Sequence, residues 1–173
     1  PLKGLRICSL RFFLQQESES TTKWIIPNLV TESAITMIAA KRGQLKTFLG
    51  LHFAVSAAMG GHSILGKSEP ARILYLDYEN GEFEFRRRLT GILKGYAEAD
   101  RNLAIGNIDF MTYPPLKLDD EIMIDNLIRV IQVSKAKIIF VDTQRRLSDG
   151  EENASETSND ILKGLQEAIM ETG

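Results

Sequence analysis

Residues 35–59 read ITMIAAKRGQLKTFLGLHFAVSAAM, and this stretch decides the fold. Ile35 to Ala40 (ITMIAA) is a short apolar run with the composition of a buried strand. Ala40 to Thr47 (AKRGQLKT) interrupts it with charge and one glycine. Lys46 to Met59 then offers few polar positions, which predicts a helix buried on most sides and ended by Gly60 and Gly61. A strand, a loop and a helix in that order form a unit that grips phosphate. Backbone N–H groups wrap the anion, the helix N-terminus faces it, and a lysine adds positive charge. The common form is G-x-x-x-x-G-K-[ST]. Here Ala40 and Leu45 stand at the two glycine positions and only Gly43 remains.

A second stretch, Gly61 to Ser68 (GHSILGKS), fits that pattern letter for letter. It follows a helix rather than a strand, Pro70 comes two residues later, and a strand pattern follows. No helix can begin at Lys67 and run on, so no helix N-terminus would face the anion; this stretch predicts a surface loop. The predicted nucleotide-binding residues are therefore Ala40, Lys41, Arg42, Gly43, Gln44, Leu45, Lys46 and Thr47.

On letters alone, an apolar run followed by Lys-Thr is common, and the downstream residues shift the balance. Arg72 to Asp77 (RILYLD), Ile108 to Thr112, stopped by Pro114 and Pro115, and Lys137 to Asp142 (KIIFVD) read as strands. Glu82 to Ala97 reads as a charged surface helix. Asp119 or Asp120 caps a helix carrying Leu127, Ile128 and Ile131. Ser155 or Glu156 starts a last helix with Ile161, Leu162, Leu165, Ala168 and Ile169 on one face. Such alternation predicts an α/β fold with a mainly parallel sheet flanked by helices.

Parallel strands gather their C-terminal ends on one edge, which would bring Lys46, Glu79 and Asp142 together. Asp142 ends the apolar run IIFV, as a carboxylate holding Mg²⁺ should, with the Thr47 hydroxyl as its partner. Glu79, in the turn YENGE, is the candidate to orient an attacking water; the plain alternative is a solvated turn carboxylate.

A chain of 173 residues suffices for one domain with a core. Its net charge of −2 gives no bulk footprint for nucleic acid, which does not exclude binding by a local loop or an assembled ring. Cys8 is the single cysteine, so no internal disulfide forms, and a reducing, cytoplasmic setting is expected. No apolar run is long enough to span a membrane. Leu5 to Leu14, broken by Arg6 and Arg11, reads as a strand or lead-in rather than a signal peptide. Glu17 to Lys23 (ESESTTK) reads as a loop, so residues 1–23 form a lead-in to a domain over 24–173. No Cys/His spacing suggests zinc. His52 reads as a packed core residue and His62 as a solvated one. Arg86, Arg87 and Arg88 read as ion-pair partners of Glu82 and Glu84, with nucleic-acid contact as the alternative. Trp24 is expected to pack under the loop rather than stack on adenine.

The order WIIPNLV, apolar run, loop ending in Lys-Thr, strand ending in YLDYEN, then IIFVDTQRR and EENAS, resembles the RecA-like P-loop ATPases grouped with RepA, a plasmid replicative helicase. The resemblance covers Trp24 to Gly173 and is most specific in the DTQRR and EENAS blocks. It implies a RecA-like core that binds ATP and Mg²⁺, assembles in rings of six when full-length and works on DNA. By position it makes Lys46 the phosphate-binding lysine, Thr47 and Asp142 the Mg²⁺ pair and Glu79 the catalytic glutamate. Arg146 matches an arginine after the Asp-Thr, for which a salt bridge is the plain reading. The family's next strand, near a pair of histidines, and its arginine finger have no match here. The chain is thus expected to be cut short at its C-terminus, and to hydrolyse ATP slowly or not at all as it stands. Two readings stay open beside the helicase: a RecA-fold ATPase of recombination or regulation that unwinds nothing, and a nucleotide-binding structural module with a degenerate loop.

Overall fold

In the computed structural model, the described residues are 9–11, 22–41, 44–61, 66–118, 120–142, 147 and 155–172. Two short strands, β1 (Trp24–Ile26) and β2 (Val30–Thr31), pair antiparallel. Pro27 and Asn28 turn the chain between them. Asn28 sits at φ 60 and the Leu29 N–H donates to the Ile26 carbonyl, a turn for which proline followed by asparagine is well suited.

The next apolar run departs from expectation. Residues 35–40 form no strand, and Ile35, Met37 and Ile38 stay exposed. The run has strand composition, but it pairs with no strand among the described residues. Apolar composition supplies a preference for burial; the hydrogen-bond ladder that defines a strand needs a partner.

Helix α1 (Lys46–Met59) follows with the predicted bounds. Its second half is buried, and Gly60 ends it at φ 80 with its N–H on the Ala57 carbonyl. A Cβ at Gly60 would lie 2.7 Å from the Pro70 ring, so glycine is required by both backbone and space. Strand β3 (Ile73–Asp77) is buried at every residue. It is followed by α2 (Gly81–Leu93), α3 (Glu98–Asn107), β4 (Ile108–Thr112), α4 (Glu121–Ser134), β5 (Ile138–Asp142) and α5 (Ser155–Thr172). Asp120 caps α4 by accepting the Ile122 N–H.

The charged helix expected over 82–97 ends at Leu93, and a separate helix, α3, forms over residues for which the sequence reading named no element. The sequence hides α3 because it carries no apolar stripe. Leu103 and Ile105 are exposed, and only Ala104 is buried. A small residue against α1 and a hydrogen bond from the Asn107 amide to the Ala58 carbonyl dock it instead.

The three longer strands form a parallel sheet in the order β4-β3-β5, with Ile73 level with Ile108 and Ile138, and Asp77 level with Thr112 and Asp142. Alternation along β3 sorts the core. Ile73 and Tyr75 join α1, α2 and α3 on one face; Leu74 and Leu76 join α4, α5, Leu116, Leu118 and Leu147 on the other. Burial of each such aliphatic side chain contributes about 1.5–3 kcal/mol. The result is the expected α/β architecture, a parallel sheet between helical layers. At the strand starts, Arg72 ties it together through the Gly106 and Ser134 carbonyls and an ion pair with Asp109.

Candidate functional site

The site lies where two neighbouring strands send the chain to opposite faces. The chain leaving β3 goes to α2 on one face; the chain leaving β5 reaches Leu147 and α5 on the other. Ligands of open parallel sheets bind at such carboxyl ends. Asp77 and Asp142 stand side by side at the carboxyl-end rim of the sheet. The first turn of α1 reaches the same place, where the Thr47 side chain favours the charged form of the Asp142 carboxyl.

Helix α1 starts with no side-chain cap and no acidic residue in its first turn. Its leading N–H groups are therefore left for an anion or water, and the helix dipole favours the anion. The preceding loop folds back over this end. The Lys46 ammonium donates to the Ala40 carbonyl at 2.7 Å and the Lys41 carbonyl at 3.2 Å. Gln44 closes the loop, its side-chain oxygen accepting the Lys41 N–H and its own N–H returning to the Lys41 carbonyl. Leu45 adopts the left-handed conformation, φ 56 and ψ 25, at the position where the common motif has glycine, and its side chain is 71% exposed. Arg42 and Gly43 lie outside the described residues.

Glu79 is presented by a turn that Asp77 builds. The fully buried Asp77 carboxylate accepts the N–H groups of Glu79, Asn80 and Gly81 and the Asn80 side-chain amide. Tyr113 closes the turn from the side. Its hydroxyl donates to the Glu79 carbonyl, and its ring lies 3.0 Å from where a Cβ on Gly81 (φ 75) would be. The Glu79 side chain is exposed at the rim.

Burial lifts the Asp142 carboxyl above the usual aspartate range. The charges of Asp77 and Glu79 add to the lift, and hydrogen bonds from Thr47 and Tyr75 oppose it. Lys46, Thr47, Glu79 and Asp142 thus share one end of the sheet. Asp77 and Tyr75 were not singled out from sequence. Asp77 left a readable signal: an acid ending a buried strand must find donors, and the following Glu-Asn-Gly turn supplies them.

Of the second phosphate-loop candidate, residues 62–65 lie outside the described residues; Lys67 is exposed, and no helix starts after it. Arg86 pairs with Glu82, and Arg87 and Arg88 pair with Glu84, which these two arginines hold down to about 2. His52 packs edge-on against Phe48. Trp24 does not pack under the loop: the β1–β2 register shifts between Trp24 and Ile26, so Ile26 enters the core while Trp24 stays exposed. His62, Arg146 and most of 1–23 lie outside the described residues.

Among the described residues no group of three His, Cys, Asp or Glu side chains could hold a metal ion unaided, and no helix is long and apolar enough to cross a membrane. The family model described as AAA domain matches residues 5–173, starting upstream of Trp24, where the resemblance read from the sequence begins. No curated protein matches the chain.

Proposed function

The chain belongs to the AAA domain family of P-loop ATPases, and from that premise we propose that it is the ATP- and Mg²⁺-binding core of a RepA-like DNA helicase, with the phosphates held at the start of α1. The observation that carries this reading is that Thr47, in the first turn of α1, acts on the carboxyl of Asp142, at the end of β5. In this reading Ala40, Lys41, Arg42, Gly43, Gln44 and Leu45 form the phosphate loop, and Lys46 and the first-turn amides of α1 take the phosphates. The Lys46 ammonium exchanges two neutral carbonyl acceptors for charged phosphate oxygens, which make stronger hydrogen bonds.

Thr47 and Asp142 fit Mg²⁺. They offer hard oxygen donors, and the carboxylate is desolvated and crowded by like charge. Mg²⁺ is commonly held by one or two protein oxygens together with nucleotide phosphates, so a two-residue set is sufficient. When bound, it would draw off negative charge that builds on the transferring phosphoryl group. Glu79, on a turn fastened at Asp77 and Tyr113, accepts a hydrogen bond from the attacking water and takes its proton.

The helicase assignment, with DNA and a six-membered ring as partners of the full-length protein, rests on the DTQRR and EENAS blocks. A second reading, nucleotide binding without turnover, is favoured by one observation, the left-handed Leu45 in place of glycine.

The test is a pair of variants in an ATP-binding titration. Lys46→Ala should abolish binding and Lys67→Ala should leave it nearly intact; the reverse pattern would move the site to residues 61–68. Unwinding of a forked duplex by the full-length protein separates a helicase from an ATPase that unwinds nothing.

A further inference from the structure

We propose that Tyr75 is a positioning residue for Asp142, its hydroxyl holding the carboxylate in the orientation that receives Mg²⁺. The inference rests on reading Asp142 as the Mg²⁺-holding carboxylate. In sequence Tyr75 is one more aromatic residue in a buried strand. In the structure its side chain is 1% exposed, and its ring is wedged between two others. It lies parallel to Phe140 at 5.7 Å and tilted against Phe85 at 5.2 Å. A ring so enclosed cannot swing its hydroxyl away.

That hydroxyl donates to the Asp142 carboxylate at 3.3 Å. A buried phenol needs a partner for its O–H, but packing would be served as well by phenylalanine, which fills nearly the same volume. The hydroxyl therefore requires a reason beyond packing, and its acceptor supplies one.

Three elements of the site meet at this atom. Strand β3 carries Tyr75, β5 carries Asp142, and α1 faces the hydroxyl through Gly50, where a Cβ would stand 3.4 Å from the tyrosine oxygen. Gly50 lies one turn along α1 from Lys46 and Thr47. Tyr75 and Thr47 thus act on one carboxyl group from separate elements.

The test compares wild-type protein with Tyr75→Phe, using a fluorescent ATP analogue titrated without Mg²⁺ and then against Mg²⁺, together with thermal melting. Binding without Mg²⁺ should stay within about twofold, because Lys46 and the loop amides are untouched. The Mg²⁺ concentration at half-maximal response should rise about tenfold, the effect of losing one long hydrogen bond to a charged group. A lower melting temperature with an unchanged Mg²⁺ midpoint would show that the tyrosine serves packing alone and would overturn the inference. Wild-type protein that binds the analogue with no response to Mg²⁺ would overturn the reading of Asp142 and the inference together. A wild-type response that Tyr75→Phe leaves unmoved would overturn only the inference.

Discussion

Leu45→Gly should stabilise this protein, an unusual expectation for a substitution to glycine. Leu45 sits at φ 56 and ψ 25, at the N-terminus of α1. The left-handed region costs an L-residue about 1–2 kcal/mol and costs glycine almost nothing. Against this gain stands the extra freedom of glycine in the unfolded chain, worth about 0.4–1 kcal/mol. Loss of side-chain burial adds little, because the leucine is 71% exposed. The balance is a gain of about 0.5–1 kcal/mol, or a rise in Tm of about 1–4 °C for a domain of this size. Leu45→Ala provides the control: it removes the same exposed side chain and keeps a Cβ in the strained conformation, so it should gain nothing. Thermal denaturation followed by circular dichroism without nucleotide reads the difference, and ATP titration then asks whether the relaxed loop binds more tightly. If Leu45→Gly melts no higher than Leu45→Ala, the left-handed strain assigned to this position is absent and the reasoning fails.

Two further outcomes follow from the carboxylates. Glu79→Gln in an assembled protein with measurable turnover should keep ATP binding and lower the hydrolysis rate by about two to four orders of magnitude; a wild-type rate would leave Glu79 a turn residue. Asp142→Asn should weaken the Mg²⁺ dependence of ATP binding while raising, or at least maintaining, the melting temperature without Mg²⁺. The folded protein raises the Asp142 pKa, so folding favours its protonated form. Stability in the wild type is therefore lost as pH rises from the ordinary aspartate value through the raised folded one, and Asp142→Asn should flatten that part of a Tm-against-pH profile.

Most of the fold was legible because its signals are local. The IIFV and ILYL runs announce strands, Gly60 and Gly61 mark the end of α1, and Asp120 caps α4 as its side-chain chemistry predicts. What escaped depends on partners. Residues 35–40 look like a strand and pair with none among the described residues, while α3 is docked by Ala104 and Asn107 rather than by a stripe. The helix beginning at Lys46 was legible from context, as was the lack of one after Lys67, and the proposed choice between the two lysines rests on that difference. Tyr75 was illegible as a site residue for a different reason. A tyrosine inside a buried strand looks like core until the neighbouring strand brings Asp142 against its hydroxyl.

The distribution of charge at the sheet edge explains why these two aspartates differ. Asp77 is fully buried, yet the fold supplies what its charge needs: three backbone N–H groups and an amide, at the N-terminal end of α2, where the helix dipole favours a negative charge. Asp142 has two side-chain hydroxyls beside it, which carry no charge, and two like charges nearby. Lys46 is turned toward the Ala40 and Lys41 carbonyls, and among the described residues no ion pair reaches Asp142. A fold selected for stability alone would place a cation or an apolar residue at 142. A carboxylate left desolvated and uncompensated is instead the kind of local cost that functional sites carry. Relief by a divalent cation would couple Mg²⁺ binding to the stability of the same sheet edge. That coupling is why Asp142→Asn should separate the two properties, improving the protein without Mg²⁺ while weakening its response to it.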